Sequence, residues 1–381
     1  MTGINLKEEF PLPADLAYLN HAGVAPWPRR TAAAVQRFAE ENATHGPVGY
    51  EAWLETEAFL RTQLRTLLNA PSSDDIALVK NTSEALSFVA HGLDWQSGDN
   101  VVIPSQEFPS NRVVWESLAP QGVEVREVNL SADESPEAAL TAAVDGRTRL
   151  MSVSSVQYGT GLRLDLAALG AYCHDYRILF CVDAIQSLGA LMMDVQHIQA
   201  DFVMADGHKW LLAPEGLGVF YCRAERRDGL QLKQFGWHMV EHHTDFTRRD
   251  WEPAKGSRRF ECGSPNMVGI HGLHASLSLI AEVGLDAIQR NVLNNSKYLI
   301  DYLGSRPDIE VMTPAPEGRR AGIVTFRPLG LDAALLHGRL RERGVVGALR
   351  NGGVRLSPHF YNTPQTLDMA LEALASILDG D

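Results

Sequence analysis

The chain has 381 residues, 45% of them hydrophobic, enough for a large core and two domains; 34 basic against 47 acidic side chains leave a net charge of −13, which argues against nucleic acid or an anionic membrane as the partner. The opening MTGINLKEEFPLPADL has no signal-peptide core, and no run approaches the roughly 18 apolar residues of a membrane span, so a cytoplasmic protein is expected. Cys173, Cys181, Cys222 and Cys262 form no C-x-x-C pair, which sets aside a disulfide framework and a zinc knuckle.

Strand-like apolar runs recur in chain order: IALVK from Ile76, NVVIPS from Asn100, RLMSVSS from Arg149, ILFCVDA from Ile178, DFVMAD from Asp201 and GVFYCR from Gly218. Helical patterns, TSEALSFVAHGL, VVWESLAP and LAALGAYCHDY, fall between them. Such alternation builds a mostly parallel sheet with helices on both faces and a site at the strands' carboxyl ends. Residues 223–259 break the rhythm with charges and aromatics, as a functional loop or a subunit contact does. A long helical stretch from MVGIHG follows, then strand-like AGIVTFRP and VVGALR and a last helix over residues 363–378. These predict a separate α+β domain from about Gly284.

Lys209 follows the run FVMA and stands at a strand's carboxyl end. Two readings are open: a solvated loop lysine, or an amine that forms an imine with an aldehyde cofactor. Asp183 ends ILFCV, where an acid is a helix N-cap or the partner of a cation such as a protonated pyridine nitrogen. One turn on, the Gln186 amide can donate to a ring oxygen of the same cofactor. Asn81 and Glu84 have capping-box spacing, so the hydroxyls of Thr82 and Ser83 sit at a helix start that is either plain or an anion site. The Phe108 ring, also after a strand, is a core residue or a stacking surface for a flat ligand. Ser264 and His208 can add donors to a phosphate. Arg355 offers a fork for a substrate carboxylate, or a structural ion pair.

Taken in order, these residues resemble the class V aminotransferase family of pyridoxal-phosphate (PLP) enzymes, which includes cysteine desulfurases, selenocysteine lyases, kynureninases and isopenicillin N epimerases. The likeness runs from YLNHAGVAPWP to RLSPHFYNT and is most specific in VDAIQS and DGHKWLLAPEGLG. It implies fold type I: an α/β large domain with a mostly parallel seven-stranded sheet over residues 21–283, and a small α+β domain over 284–381. Residues 1–20 are then a segment packed on the small domain. The resemblance further implies that Lys209 carries PLP as an imine, Asp183 pairs with the pyridinium and Gln186 touches the ring oxygen. Thr82, Ser83 and His208 bind the phosphate, Ser264 arrives from a second subunit of a homodimer, Phe108 stacks on the ring and Arg355 grips the α-carboxylate. His21, Tyr158 and Trp237 are expected on the substrate side.

Three departures from the family pattern stand out. Asp206 occupies a position where Ser or Thr is frequent. No cysteine precedes Arg355 in GVVGALRNGGVRLSP, so persulfide chemistry is not expected. Val156-Gln157-Tyr158 does not match the desulfurase asparagine. The expected activity is removal of the α-proton of a small amino acid, leading to aminotransfer or β-elimination. Epimerisation is the alternative, needing a second acid among His21, Tyr158, His238 and His359; a catalytically silent PLP-binding relative is another.

Overall fold

Strands whose two faces are both covered by helices must be buried on both faces, and the inner strands of the large sheet are. In the computed structural model, which describes residues 4–130 and 135–380, a short strand β1 (Ala17–Tyr18) precedes a seven-stranded sheet. Its members are β2 (Ile76–Val79), β3 (Asn100–Pro104), β4 (Glu124–Val128), β5 (Thr148–Ser154), β6 (Leu179–Asp183), β7 (Phe202–Asp206) and β8 (Gly218–Cys222). Their order is β2-β8-β7-β6-β5-β3-β4, with β8 alone antiparallel to its neighbours β2 and β7. Every residue of β2, β3 and β8 is buried. The strand that the apolar runs do not reveal is β4: Glu-Val-Arg-Glu-Val lies at the sheet's edge with both glutamates exposed, and charge on an edge strand deters pairing with another chain.

Helices Arg29–His45 and Tyr50–Leu68 pack on Met267–Val283, burying Trp53, Leu60, Leu64, Ile270, Leu273 and Leu277 in one core. Among the described residues no single helix is long and apolar enough to cross a membrane. Met267–Val283 and the next helix, Leu285–Ser305, pass that test only as a pair, and they meet at 84°.

The second unit holds β9 (Ile309–Val311), β10 (Val324–Pro328), β11 (Val345–Val346), β12 (Ala348–Arg350) and β13 (Gly353–Leu356). Four of them form an antiparallel sheet ordered β12-β13-β10-β9. The stretch VVGALR, which reads as one strand, divides at Gly347, and its first half, β11, pairs in parallel with β1 instead. Ala17 and Leu19 of the N-terminal segment therefore share a core with Val324, Phe326, Leu340 and Leu371. Helix Leu285–Ser305 serves both units: Ile288 and Val292 lie in the large core, Leu299, Ile300 and Leu303 in the small one. It thereby ties the two cores together.

Candidate active site

Parallel neighbours in a sheet bring their carboxyl ends together. β6 and β7 pair with Asp183 opposite Met204, so the loop that follows Asp206 carries Lys209 over the end of β6. Thr82 opens helix Thr82–Gly92 after β2, Phe108 follows β3, Tyr158 follows β5, and Arg355 lies in β13 of the small unit. Thr82, Ser83, Phe108, Tyr158, Asp183, Gln186, His208, Lys209 and Arg355 line one cavity of about 280 Å³.

Lys209 makes no ion pair among the described residues. Burial pushes its ammonium down to about 8; Asp183 opposes that shift and Arg355 adds to it. Its Nζ stands 5.7 Å from the centre of the Phe108 ring, which is edge-on to Tyr158. Asp183 is buried and accepts one bond, from the Ile185 amide at 3.0 Å. Burial pushes its carboxyl up to about 7, with the carboxylate of Glu107 adding to the rise. Arg355 is 1% exposed and donates from Nη1 to the Tyr158 carbonyl at 2.8 Å, while its Nε and Nη2 have no partner. Burial lowers its pKa to about 9.

At the other end, Asn81 Oδ1 accepts from the Glu84 amide, capping the helix, and the Glu84 carboxylate reaches back to the Lys80 amide rather than closing a capping box on Asn81. The Thr82 hydroxyl is buried without a partner, whereas its amide donates to Asp206 Oδ1 at 2.9 Å. Asp206 Oδ2 lies 3.6 Å from His208 Nδ1. Burial pushes the Asp206 carboxyl up to about 6 and the His208 imidazole down to about 4, so His208 is neutral near pH 7. Gln186 has a fixed amide: Oε1 accepts from Trp210 Nε1 at 3.0 Å and Nε2 donates to the Ala22 carbonyl at 3.1 Å.

Two expected residues, His21 and Trp237, lie elsewhere, and Ser264, expected to serve a second subunit, lies outside this chain's own cavity. Both ring nitrogens of His21 are engaged, Nδ1 with the Ser357 carbonyl and Nε2 with the Tyr361 hydroxyl; the ring is fully buried, and only the backbone after it, at Ala22 and Gly23, reaches the cavity. His21 is thus a strut between the two units rather than a substrate contact. Trp237 packs on His238, His243 and Phe246, away from the cavity, because the irregular segment folds on itself. Ser264 borders a separate cavity with Lys80, Glu84 and Cys262. The periodicity of the sequence also gave no sign of Ser110, Arg350 or the buried Glu107. Glu107 accepts from the Ser154 amide at 2.6 Å, the Ser154 hydroxyl and Gln157 Nε2 at 3.0 Å. A groove of about 630 Å³ lined by Arg163, Asp165, Asp194, His197 and Arg319 is larger than the lysine cavity but holds no lysine.

The fold and this cavity define a PLP-dependent enzyme of fold type I. The family model described as "Aminotransferase class-V" matches residues 17–367, and the chain belongs to that family. A probable cysteine desulfurase of Methanothermobacter thermautotrophicus is 32% identical, the alignment covering 98% of this chain and 97% of the relative. A cysteine desulfurase of Pectobacterium carotovorum is also 32% identical, covering 91% and 87%. Among solved structures, the apo cysteine desulfurase of Thermococcus onnurineus matches over 100% of both chains with a TM-score of 0.89 at 24% identity. The cystine C-S lyase C-DES covers 96% of this chain and 99% of its own, with a TM-score of 0.88 at 24% identity. At that identity the structures share the fold.

Proposed function

We propose that Lys209 anchors PLP and then serves as the base that removes the α-proton of an amino acid, the outcome being aminotransfer or β-elimination. The observation that supports this most directly is the meeting of a half-buried amine with no ion pair, a buried carboxyl and a half-bonded guanidinium, Lys209, Asp183 and Arg355, in one cavity. When bound, PLP supplies an aldehyde for the amine and a ring that takes up the electron pair left at the α-carbon. The residues fit it. Asp183 lacks a cation close enough to hold its carboxyl down, which a protonated ring nitrogen would do. The orphaned Thr82 hydroxyl, the Ser83 hydroxyl and neutral His208 suit a phosphate at a helix start. Phe108 presents an apolar face beside Lys209, and Gln186 keeps its second amide proton for the ring oxygen.

Arg355 holds the α-carboxylate through the two nitrogens that have no protein partner, which orients the substrate's α-hydrogen toward Lys209. Desolvation brings the Lys209 ammonium down to about 8, close enough to neutral pH for a fraction of the amine to be free to accept that proton, and the fraction grows as pH rises to 8. None of the cysteines lines the cavity; Cys173, Cys181 and Cys222 are buried, and burial pushes the Cys173 thiol up to about 12. On this reading the chemistry runs without a persulfide relay; Cys262, half-buried beside Ser264, lies outside this cavity. Of the second acids an epimerase needs, Tyr158 lines the cavity, while His21 and His359 are buried and His238 lies beside Glu261. We place the enzyme in the cytoplasm as a homodimer, with Ser264 serving the partner's phosphate.

The test is the visible spectrum of the purified protein with PLP. A band that borohydride abolishes and that Lys209→Ala lacks supports the reading; its absence from the wild type overturns it. Keto acid and ammonia formed without an acceptor mark a lyase, and strict dependence on an acceptor marks aminotransfer.

A further inference from the structure

Arg350 ends β12 one step from Arg355. The register of β12 on β13 pairs Ala348 with Arg355, Leu349 with Val354 and Arg350 with Gly353. Side chains alternate along a strand, so Arg350 and Arg355 share one face as diagonal neighbours, with Cα atoms about 7–8 Å apart. The residues opposite them are Gly353 and Ala348, which leave the space between the two guanidinium groups open. The connection is Asn351-Gly352, with φ of 51° and 71°, the all-positive pattern of a tight two-residue hairpin turn.

The hairpin is fixed to the cavity wall. Thr325 Oγ1 donates to the Gly159 carbonyl at 2.7 Å, Arg355 Nη1 to the Tyr158 carbonyl, and the Asn351 side chain lies so close over Gly159 that a Cβ there would come within 2.2 Å of it. Arg350 is thereby held at the exposed mouth of the cavity it lines. Its recorded bond is from Nη1 to the carbonyl of its own neighbour Leu349, and it has no ion pair among the described residues.

Its charge is felt on one side of the cavity. Arg350 disfavours the cationic forms of Lys209 and Arg355, but it is not among the groups that perturb His208 or Asp206 at the phosphate end. A third cation crowding two others, with no carboxylate of its own, is the arrangement an anionic ligand completes. If Arg355 holds the α-carboxylate, the next anion outward belongs to the substrate's side chain.

We infer that Arg350 forms a side-chain acid subsite and that the substrate is an α-amino acid ending in a carboxylate or sulfinate; this rests on the reading of Lys209 and Arg355 above. A planar guanidinium fork takes either group through two oxygens.

The test uses PLP-loaded wild type and Arg350→Gln, with L-aspartate, L-glutamate and L-cysteine sulfinate set against L-alanine and L-serine. In the wild type kcat/KM favours the acidic set, and the better of the carboxylate and sulfinate arms identifies the natural anion. In Arg350→Gln the acidic-to-neutral ratio falls roughly ten- to hundredfold, the scale of one lost charge-assisted bond, and Arg350→Lys restores part of it. Independently of turnover, succinate raises the unfolding midpoint of the wild type more than propionate does, and that difference disappears in Arg350→Gln. A wild type that prefers neutral amino acids, or a ratio that the substitution leaves in place, overturns the inference while the Lys209 reading stands. A protein with no borohydride-sensitive band overturns both.

Discussion

Arg355 gives one nitrogen to the carbonyl of Tyr158 and keeps two without a partner, in a position 1% exposed to solvent. A structural arginine would be fully bonded, since an unpaired buried donor costs about 1–3 kcal/mol. Arg355→Met should therefore separate stability from function. Removing a buried charge that has no counter-ion relieves its desolvation cost, set against about 1 kcal/mol for the lost bond to Tyr158, so the melting temperature should hold or rise. Over the same substitution kcat/KM for every α-amino acid should fall roughly 10²–10³-fold, mostly through KM. A variant that unfolds while bound substrate is unaffected would assign Arg355 to the scaffold.

The amine of Lys209 yields a prediction with a definite sign. Imine formation needs the neutral amine, and burial lowers the ammonium pKa from 10.5 to about 8. The rate at which the apo protein is labelled by pyridoxal, which carries no phosphate, should rise about tenfold per pH unit below 8 and level off above it. A profile still climbing at pH 10 would mean that Lys209 is solvated. Asp183→Asn removes the carboxylate that stabilises the ammonium, so its plateau should begin at lower pH.

Asp206 holds the Thr82 amide where the family often has a hydroxyl, and its carboxyl is pushed up to about 6, above the ordinary 3.8. It is thus protonated at pH 5 and ionised at pH 8, where it faces the phosphate that Thr82 and Ser83 are proposed to hold. Asp206→Asn keeps the acceptor for the Thr82 amide and removes the charge. At pH 8 the variant should bind PLP roughly tenfold more tightly than the wild type, and the two affinities should converge by pH 5, as followed by cofactor absorbance. The same shift acts on the apo fold. A carboxyl whose folded pKa is raised loses stability as pH rises from about 4 to about 6, so above pH 6 the variant should be the more stable by at most about 3 kcal/mol.

How much of this was legible beforehand depended on what each residue's signal was. Lys209, Asp183 and Thr82 lie directly after apolar runs, and a parallel sheet converts that position in the chain into a place at one end of the strands, so the resemblance and the hydrophobic pattern agreed on them. His21 and Trp237 were expected from their neighbourhood and residue type alone; their side-chain directions are set by Ser357 and Tyr361, more than 300 residues away in the chain for His21, and by the self-packing of residues 235–246 for Trp237. The edge strand β4 went unread because its charged residues carry no buried face to report. Arg350 was invisible for another reason: its meaning is a register across a hairpin, and one residue's slip would turn it to the other face.

Trp210 and Gly189 set the geometry beneath the lysine. The Trp210 indole donates to Gln186 Oε1, and its carbonyl lies 2.4 Å from where a Cβ on Gly189 would stand, at a glycine whose φ is +96°. Gly189→Ala meets both a backbone clash and a strained dihedral, so it should cost more than about 2 kcal/mol and displace the Lys209 loop. Trp210→Phe is milder: it leaves Gln186 Oε1 without its donor, costs about 1–3 kcal/mol and frees the amide to turn. Because that amide is proposed to face the cofactor's ring oxygen, the variant's bound-PLP absorption maximum should shift even where PLP is saturating. Gln186→Ala combined with Trp210→Phe should then shift it no further than Gln186→Ala does by itself. Additive spectral shifts would show that Trp210 acts on the cofactor by a route that bypasses Gln186.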